Sequence, residues 1–350
     1  MNKIILSLFA ATLLLSACKT APNGQSSAKE NVENEANKPD LKGDSALNEI
    51  AKFYASKLNA TDVMNRIAKS DSIVKNDMSD IQDSCQFAFY PFGGPDFLYI
   101  HHIYPNADTY FMMGLEKVGT MPTAADEVKA QAIYTALRDN FNFSYYITKN
   151  MNNQLANVQV DGTLPLITTL MALDSCQIIS VAKKKFDEKG NMVDCNDASA
   201  NIAEIKFFSN KTPKHEQTFY YYSGDTRDPY FEAGLEAYFT KLKNQKVATF
   251  LKAASYLMHQ DNFMKIRNTI IDNSFAVLQD DSGVPLRAFG NNWDFTLYGV
   301  YDHPIAVFTE ACYQQDLKDL YAKTGANVRP LNIHIGYNHV SNWMCARKKK

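Results

Sequence analysis

The chain has 350 residues and a formal net charge of -2, with 45% hydrophobic and 21% charged residues. That composition excludes a disordered or fibrous chain. The near-neutral charge excludes a broad basic surface for nucleic acid. The length suits one large domain or two modest ones, at roughly 100–200 residues each, and can bury a sizeable core.

Lys3 gives the chain a positive start, and Ile4 to Leu15 form a short apolar run. A run of about 12 residues is too short for a bilayer, which takes about 20, and matches the apolar core of a signal peptide. It ends in Leu15-Ser16-Ala17-Cys18, which resembles the lipobox of bacterial lipoproteins. The resemblance implies that the Cys18 thiol takes a diacylglyceryl group. It also implies that residues 1–17 are removed as a signal peptide and that the new amine is acylated. Several acyl chains hold a protein at a membrane where one would be marginal. Lys19 stands where an inner-membrane retention aspartate would, which favours the outer membrane. No later stretch is apolar for long enough to span. Residues 18–43, rich in Ser, Asn, Lys and Glu and lacking aromatics, read as a flexible tether.

Five cysteines remain: Cys85, Cys176, Cys195, Cys312 and Cys345. The number is odd, so at least one stays unpaired or bridges to another chain, and no C-x-x-C supports a redox motif or zinc ribbon. Each is read as a small buried hydrophobe.

The globular domain runs over 44–350. Leu47, Ile50, Phe53, Tyr54 and Leu58 recur at helical spacing, with Asp44 or Ser45 as the cap. Gly43-Asp44-Ser45-Ala46-Leu47 resembles the nucleophile block of the GDSL hydrolases. A polar tether precedes it instead of an apolar strand, and the late Asp-x-x-His is missing, so Ser45 is read as part of the cap. Phe87 to Tyr90 is strand-like and Pro91 to Asp96 a loop. Phe97 to Tyr104 and Thr109 to Val118 are further apolar, aromatic runs. A helix is expected over 123–139, then a strand from Gln177 to Ala182 and a turn at 187–191. Strands follow over 202–208 and 218–222, and helices over 229–243 and 261–272. Phe275 to Leu278 and Phe295 to Tyr301 are strands, 313–323 a helix, and Leu331 to Gly336 a last strand. The terminal Arg347-Lys348-Lys349-Lys350 reads as a solvated tail. Strands and helices interleave without a repeat. The fold class is therefore α/β or α+β, a mixed β-sheet with flanking helices in a single large domain. A subdivision near 210–225 is the alternative.

Ligands in open α/β sheets bind beyond the carboxyl ends of strands. Asp280 and Asp281 stand at such an end and could hold a divalent cation or supply a general base; turn formation alone also explains them. Arg287 could receive an anionic group. His303, just past a strand, is a candidate base or ligand. In a strand, His101 and His102 would point to opposite faces, so at most one joins a site. His334 and His339 have the spacing of neither a helical zinc pair nor a strand face. Asp96, closing the Gly-Gly loop, and Tyr220 and Tyr222, from Tyr220-Tyr221-Tyr222, are candidate binding residues, since exposed tyrosines stack on sugars or cover a partner.

Three segments carry a broader resemblance. They are Tyr90 to Phe97 (Y-P-F-G-G-P-D-F), Gln279 to Pro285 (Q-D-D-S-G-V-P), and Trp293 through Leu297-Tyr298-Gly299 to Tyr301 with Pro304. Together they resemble a family of uncharacterised exported bacterial lipoproteins that carries no assigned activity. The resemblance implies one integrated domain after about residue 85 and transfers no reaction.

Two functions follow as expectations. The first is a lipid-anchored envelope protein that binds a glycan or another envelope component, protein included. The second is an envelope hydrolase built on Asp280, Asp281, Arg287, His303 and His101, with or without a metal. Convergence of these groups in one cleft favours the enzyme, and scatter favours binding.

Overall fold

Strands buried on both faces read as continuous apolar runs, whereas a one-faced strand alternates. Phe87–Tyr90 (β1) is buried at every position, and so is Val247–Leu251 (β7). Both lie in the middle of a ten-stranded sheet in the order β4-β3-β5-β6-β2-β1-β7-β8-β10-β9. The other strands are β2 (Thr109–Gly114), β3 (Gln177–Phe186), β4 (Met192–Asp194), β5 (Ile202–Phe208) and β6 (Glu216–Ser223). They are completed by β8 (Ser274–Gln279), β9 (Trp293–Gly299) and β10 (Asn342–Lys348). The structure is a computed structural model. It describes residues 43–146, 160–308, 310–337 and 341–349, with a few helical positions between 151 and 156. The signal segment, Cys18, nearly all of the tether and His339 lie outside the described residues.

Pairing is parallel among β6, β2, β1, β7 and β8 and antiparallel at both flanks. In order of appearance, the parallel strands lie 3-2-1-4-5, the doubly wound arrangement. Period-2 alternation divides their side chains between two cores. Ala88, Tyr90, Tyr110, Met112 and Phe250 face one. Phe87, Phe89, Phe111, Met113 and Leu251 face the other.

Helices α1 (Ser45–Ala55), α2 (Thr61–Asp77), α4 (Phe97–Ile103), α5 (Glu127–Phe143) and α6 (Leu164–Leu173) pack into the first core; α3 (Ser79–Ser84) adds Ile81. Helices α7 (Ala233–Lys241), α8 (Met264–Asn273) and α9 (Gln315–Thr324) pack into the second. The product is a mixed sheet between two helical layers in one domain. The subdivision expected near 210–225 falls on β6, which is paired on both edges, so the chain does not divide there. Asp44 caps α1 through the Leu47 N–H at 3.1 Å, and Ser45 is its first residue. No described helix is long and apolar enough to cross a membrane. The five described cysteines are all unpaired.

Three expectations differ. Phe97 to Tyr104 forms α4, because its apolar residues are buried all round a helix and not on a strand face. Leu331 to Gly336 makes no strand; Ile333 and Ile335 fill the first core from an irregular segment after Pro330. The last strand is β10 instead, where Trp343 and Cys345 face one core and Met344 and Ala346 the other. Of the basic end, Arg347 and Lys348 are held by the protein, whereas Lys349 is exposed and Lys350 lies outside the described residues. Arg347 reaches the Asp77 carbonyl at 3.1 Å, and Lys348 donates to the Ile271 and Asp272 carbonyls at 3.2 Å each. Those carbonyls close α8, where a cation is favoured by the helix dipole. The apolar helix α6 gave no amphipathic signal because it is buried along most of its length.

Trp343 is fully buried beside Phe250, ring centroids 6.3 Å apart. Trp343→Ala is expected to lower unfolding free energy in a urea titration by about 3–5 kcal/mol. Val307→Ala, at a 79% exposed position, should stay within about 0.5 kcal/mol.

Candidate functional site

The parallel strands end on one edge of the sheet, and β1 and β7 flank the point where the winding reverses. Helix α4, after β1, covers one face and α8, after β7, the other. Neighbouring loops separate at such a point and leave a crevice. A cavity of about 390 Å³ lies there, a size that suits a small ligand. The loop after β1 lines it with Gly93, Gly94 and Asp96, and the end of β2 with Gly114 and Glu116. The turn after β6 adds Asp225 and Arg227, and the loop after β7 adds Lys252 to Ser255. Tyr90, Tyr145, Tyr146 and Tyr337 supply aromatic walls.

Lys252 is the first residue beyond an apolar strand and is only 2% exposed. An ammonium buried there requires a counter-charge. Asp96, itself 1% exposed, provides it at 2.6 Å. The same ammonium donates to the Ser144 carbonyl and lies 4.3 Å from the Tyr99 ring centre. Burial lowers the Lys252 pKa, and the Asp96 carboxylate opposes that shift. The Tyr90 hydroxyl donates to Asp96 Oδ2 at 3.1 Å, while Asp96 Oδ1 has no hydrogen-bond partner among the described residues. The buried Tyr146 hydroxyl has none either.

Asp225 and Arg227 pair with each other across the turn. Glu116 therefore remains as a lining carboxylate without a cation among the described residues. It is 3% exposed and accepts from Tyr221 at 3.1 Å. Gly114 makes room for this contact, since a Cβ there would lie 2.5 Å from both Glu116 Oε2 and Tyr221 Oη.

The acid pair flagged in the sequence supports this pocket without lining it. Ala253, Ser255 and Tyr256 have φ of 51°, 54° and 54°. A left-handed non-glycine residue costs about 1–3 kcal/mol and persists only where its surroundings hold it. Asp280 Oδ2 accepts from the Ala253 N–H at 2.8 Å, and the Ser282 hydroxyl accepts from the Ala254 N–H at 2.7 Å. Asp280 Oδ1 accepts from the Ser282 backbone and hydroxyl. Asp281 accepts from Tyr256 at 2.5 Å and from Asn342 at 2.9 Å. All four carboxylate oxygens thus have protein donors, an arrangement that suits a clamp on the loop better than a cation site. Burial, with Asp281 beside it, pushes Asp280 up to about 7; burial also raises Asp281.

The remaining sequence candidates are scattered. Arg287 is 3.4 Å from the His259 carbonyl. His303 is 71% exposed, its Nδ1 2.8 Å from the Pro304 carbonyl oxygen. Tyr220 donates to Glu204 on β5 at 2.9 Å, and Tyr222 is buried in the second core. Of the three tyrosines, Tyr221 is the one that reaches Glu116. Asp96 is the sequence candidate that lines the cavity. Lys252 and Glu116 were missed: Lys252 stands just past an apolar strand, and Glu116 two residues past β2 with Lys117 beside it.

His101 lies on the opposite edge, and the strand argument for the histidine pair fails with the helix. From the last turn of α4, both rings reach Asp174. His101 Nδ1 lies 2.5 Å from one carboxylate oxygen and His102 Nε2 2.8 Å from the other. Burial lowers the His101 pKa, partly offset by Asp174. Burial alone would raise Asp174, but these histidines outweigh it and hold the carboxyl far below its usual range. Cys176 completes a buried group whose ligand atoms all lie within 4.8 Å of one another, close enough to hold a metal ion.

No protein-family model, curated protein or solved structure matches this chain.

Because Asp280 binds its proton more tightly folded than unfolded, its contribution to stability falls as pH rises from about 4 to about 7. Denaturation midpoints of the unaltered protein should carry that decline. Asp280→Asn, whatever its absolute stability, should show a flatter profile over the same window; an unchanged slope would remove Asp280 as its source.

Proposed function

We propose that the domain binds a small hydroxyl-bearing ligand, such as a sugar unit of an envelope glycan, in the crevice between β1 and β7. The observation that carries this reading is the chemistry of the cavity wall. Glu116 is an uncompensated carboxylate, and Asp96 Oδ1 is an acceptor without a donor. Such groups call for hydrogen-bond donors, which vicinal hydroxyls supply and a phosphate does not. Tyr145, Tyr146 and Tyr337, none of them fully buried, offer aromatic surface against which a sugar ring stacks. Glu116 also lies two residues beyond the end of the second parallel strand, near the place from which an acidic residue receives ribose hydroxyls in doubly wound folds.

The hydrolase reading asks for His303, Arg287 and His101 around Asp280 and Asp281. His303 is exposed, His101 is bonded to Asp174 on the other edge, and the acid pair is engaged with the loop. Binding is the better-supported reading. In this proposal the domain works in the cell envelope, held to the outer membrane by lipid on Cys18 through the tether.

Titration calorimetry against monosaccharides, disaccharides and nucleosides tests the pocket. At least one hydroxylated ligand should bind, Glu116→Gln should weaken it about tenfold, or about 1.4 kcal/mol, and Tyr220→Phe should not. Silence across the panel, or indifference to Glu116→Gln, would reject the site. The anchor has its own test. Mass spectrometry of the mature N-terminus should find an acylated Cys18, and Cys18→Ser should move the protein to the soluble fraction.

A further inference from the structure

The second cluster lies where the pocket is not, at the amino-terminal edge of the parallel strands. Asp174 caps the end of α6, Cys176 follows it immediately before β3, and His101 and His102 close α4. His101 is 0%, Cys176 3% and Asp174 6% exposed. Three residue types with nitrogen, sulfur and oxygen donors therefore meet inside the protein, contributed by separate stretches of chain.

We propose that His101, Asp174 and Cys176 form a structural zinc site. Imidazole, thiolate and carboxylate together suit zinc, which takes all three and is commonly four-coordinate. Magnesium and calcium prefer oxygen alone. His102 lies outside that group and bonds the other oxygen of Asp174 at 2.8 Å, which orients the carboxylate.

The His101 ring is held in position for this role. One nitrogen of His101, Nδ1, faces Asp174, while Nε2 is buried with no hydrogen-bond partner among the described residues. The ring is fixed by stacking on Phe97, centroids 4.8 Å apart and planes 17° apart, and by Phe207 at 5.8 Å. Nδ1 is the nitrogen that faces Asp174, so it is the one an ion would take, with Asp174 a ligand beside it.

The rival arrangement is a closed ion cluster in which Asp174 is satisfied by His101, His102 and Lys211 at 3.5 Å. The Lys211 side chain is 29% exposed and can withdraw toward solvent. Zinc binding would then release the Cys176 thiol proton to solvent and replace the ammonium charge near Asp174.

The test uses the full chain, stripped with chelator and titrated with Zn²⁺ and separately with Co²⁺. The proposal expects one metal per chain and a thiolate-to-cobalt absorption band on Co²⁺ addition. It expects Cys176 to become slow toward a thiol reagent when zinc is present. Cys176→Ser and His101→Gln should weaken binding at least about tenfold, whereas Glu116→Gln in the pocket should leave it unchanged. Circular dichroism of each variant separates lost binding from lost folding. If a variant unfolds, the cobalt band of the unaltered chain still decides. No band and no stoichiometric zinc would establish the closed ion cluster. Stoichiometric metal that survives Cys176→Ser would put the ion elsewhere and overturn the assignment.

Discussion

The buried ion pair between Lys252 and Asp96 holds the two sides of the crevice together. One charge comes from the loop after β7 and the other from the loop after β1, the two strands between which the winding reverses. An unpaired charge at that depth costs several kcal/mol, and removing one partner of such a pair typically costs about 3–5 kcal/mol. Each loop therefore depends on the other. The pair also sets the character of the pocket. It neutralises Asp96, leaves Glu116 as the uncompensated group, and commits all directions of the ammonium to Asp96, Ser144 and Tyr99.

Behind the ion pair, Asp280, Asp281 and Ser282 hold a loop whose backbone would not keep its shape unaided. The consecutive hydrogen bonds to Ala253, Ala254 and Tyr256 fix the left-handed residues that carry Lys252 into place. Burial at the end of β8 makes these acids chemically unusual, and the same burial keeps them from meeting a ligand. A perturbed carboxylate thus marks the edge where the crevice lies and does not by itself line it.

Much of this was legible in the sequence. The apolar runs of β1, β5, β8 and β9 and the amphipathic α1 and α9 follow from periodicity, as does the interleaved mixed sheet. Asp44 behaved as a cap because its side chain has a free backbone N–H to accept from. Asp96 was recognisable from its place at the end of a Gly-Gly loop. What escaped was set by tertiary contact. Phe97 to Tyr104 is apolar on every side, so nothing in its pattern separates a buried helix from a strand. Strand β10 hid behind its basic end, whose charges are spent on helix carbonyls and not on solvent. Lys252 and Glu116 looked like ordinary surface charges until the sheet order brought their strands together. The His101–Asp174 contact spans 73 residues and carries no local signal at all.

The two edges of the sheet thus differ: an open crevice at the carboxyl ends and a buried histidine, carboxylate and thiol group at the amino ends. The most direct test of the account is two-dimensional amide NMR of the domain titrated with a bound sugar. Resonances of Gly93, Gly94, Glu116, Ala253 and Tyr337 should shift together, while those of His101 and Asp174 stay in place. Shifts confined to the opposite edge, or spread along the outer face of Tyr220, would contradict it.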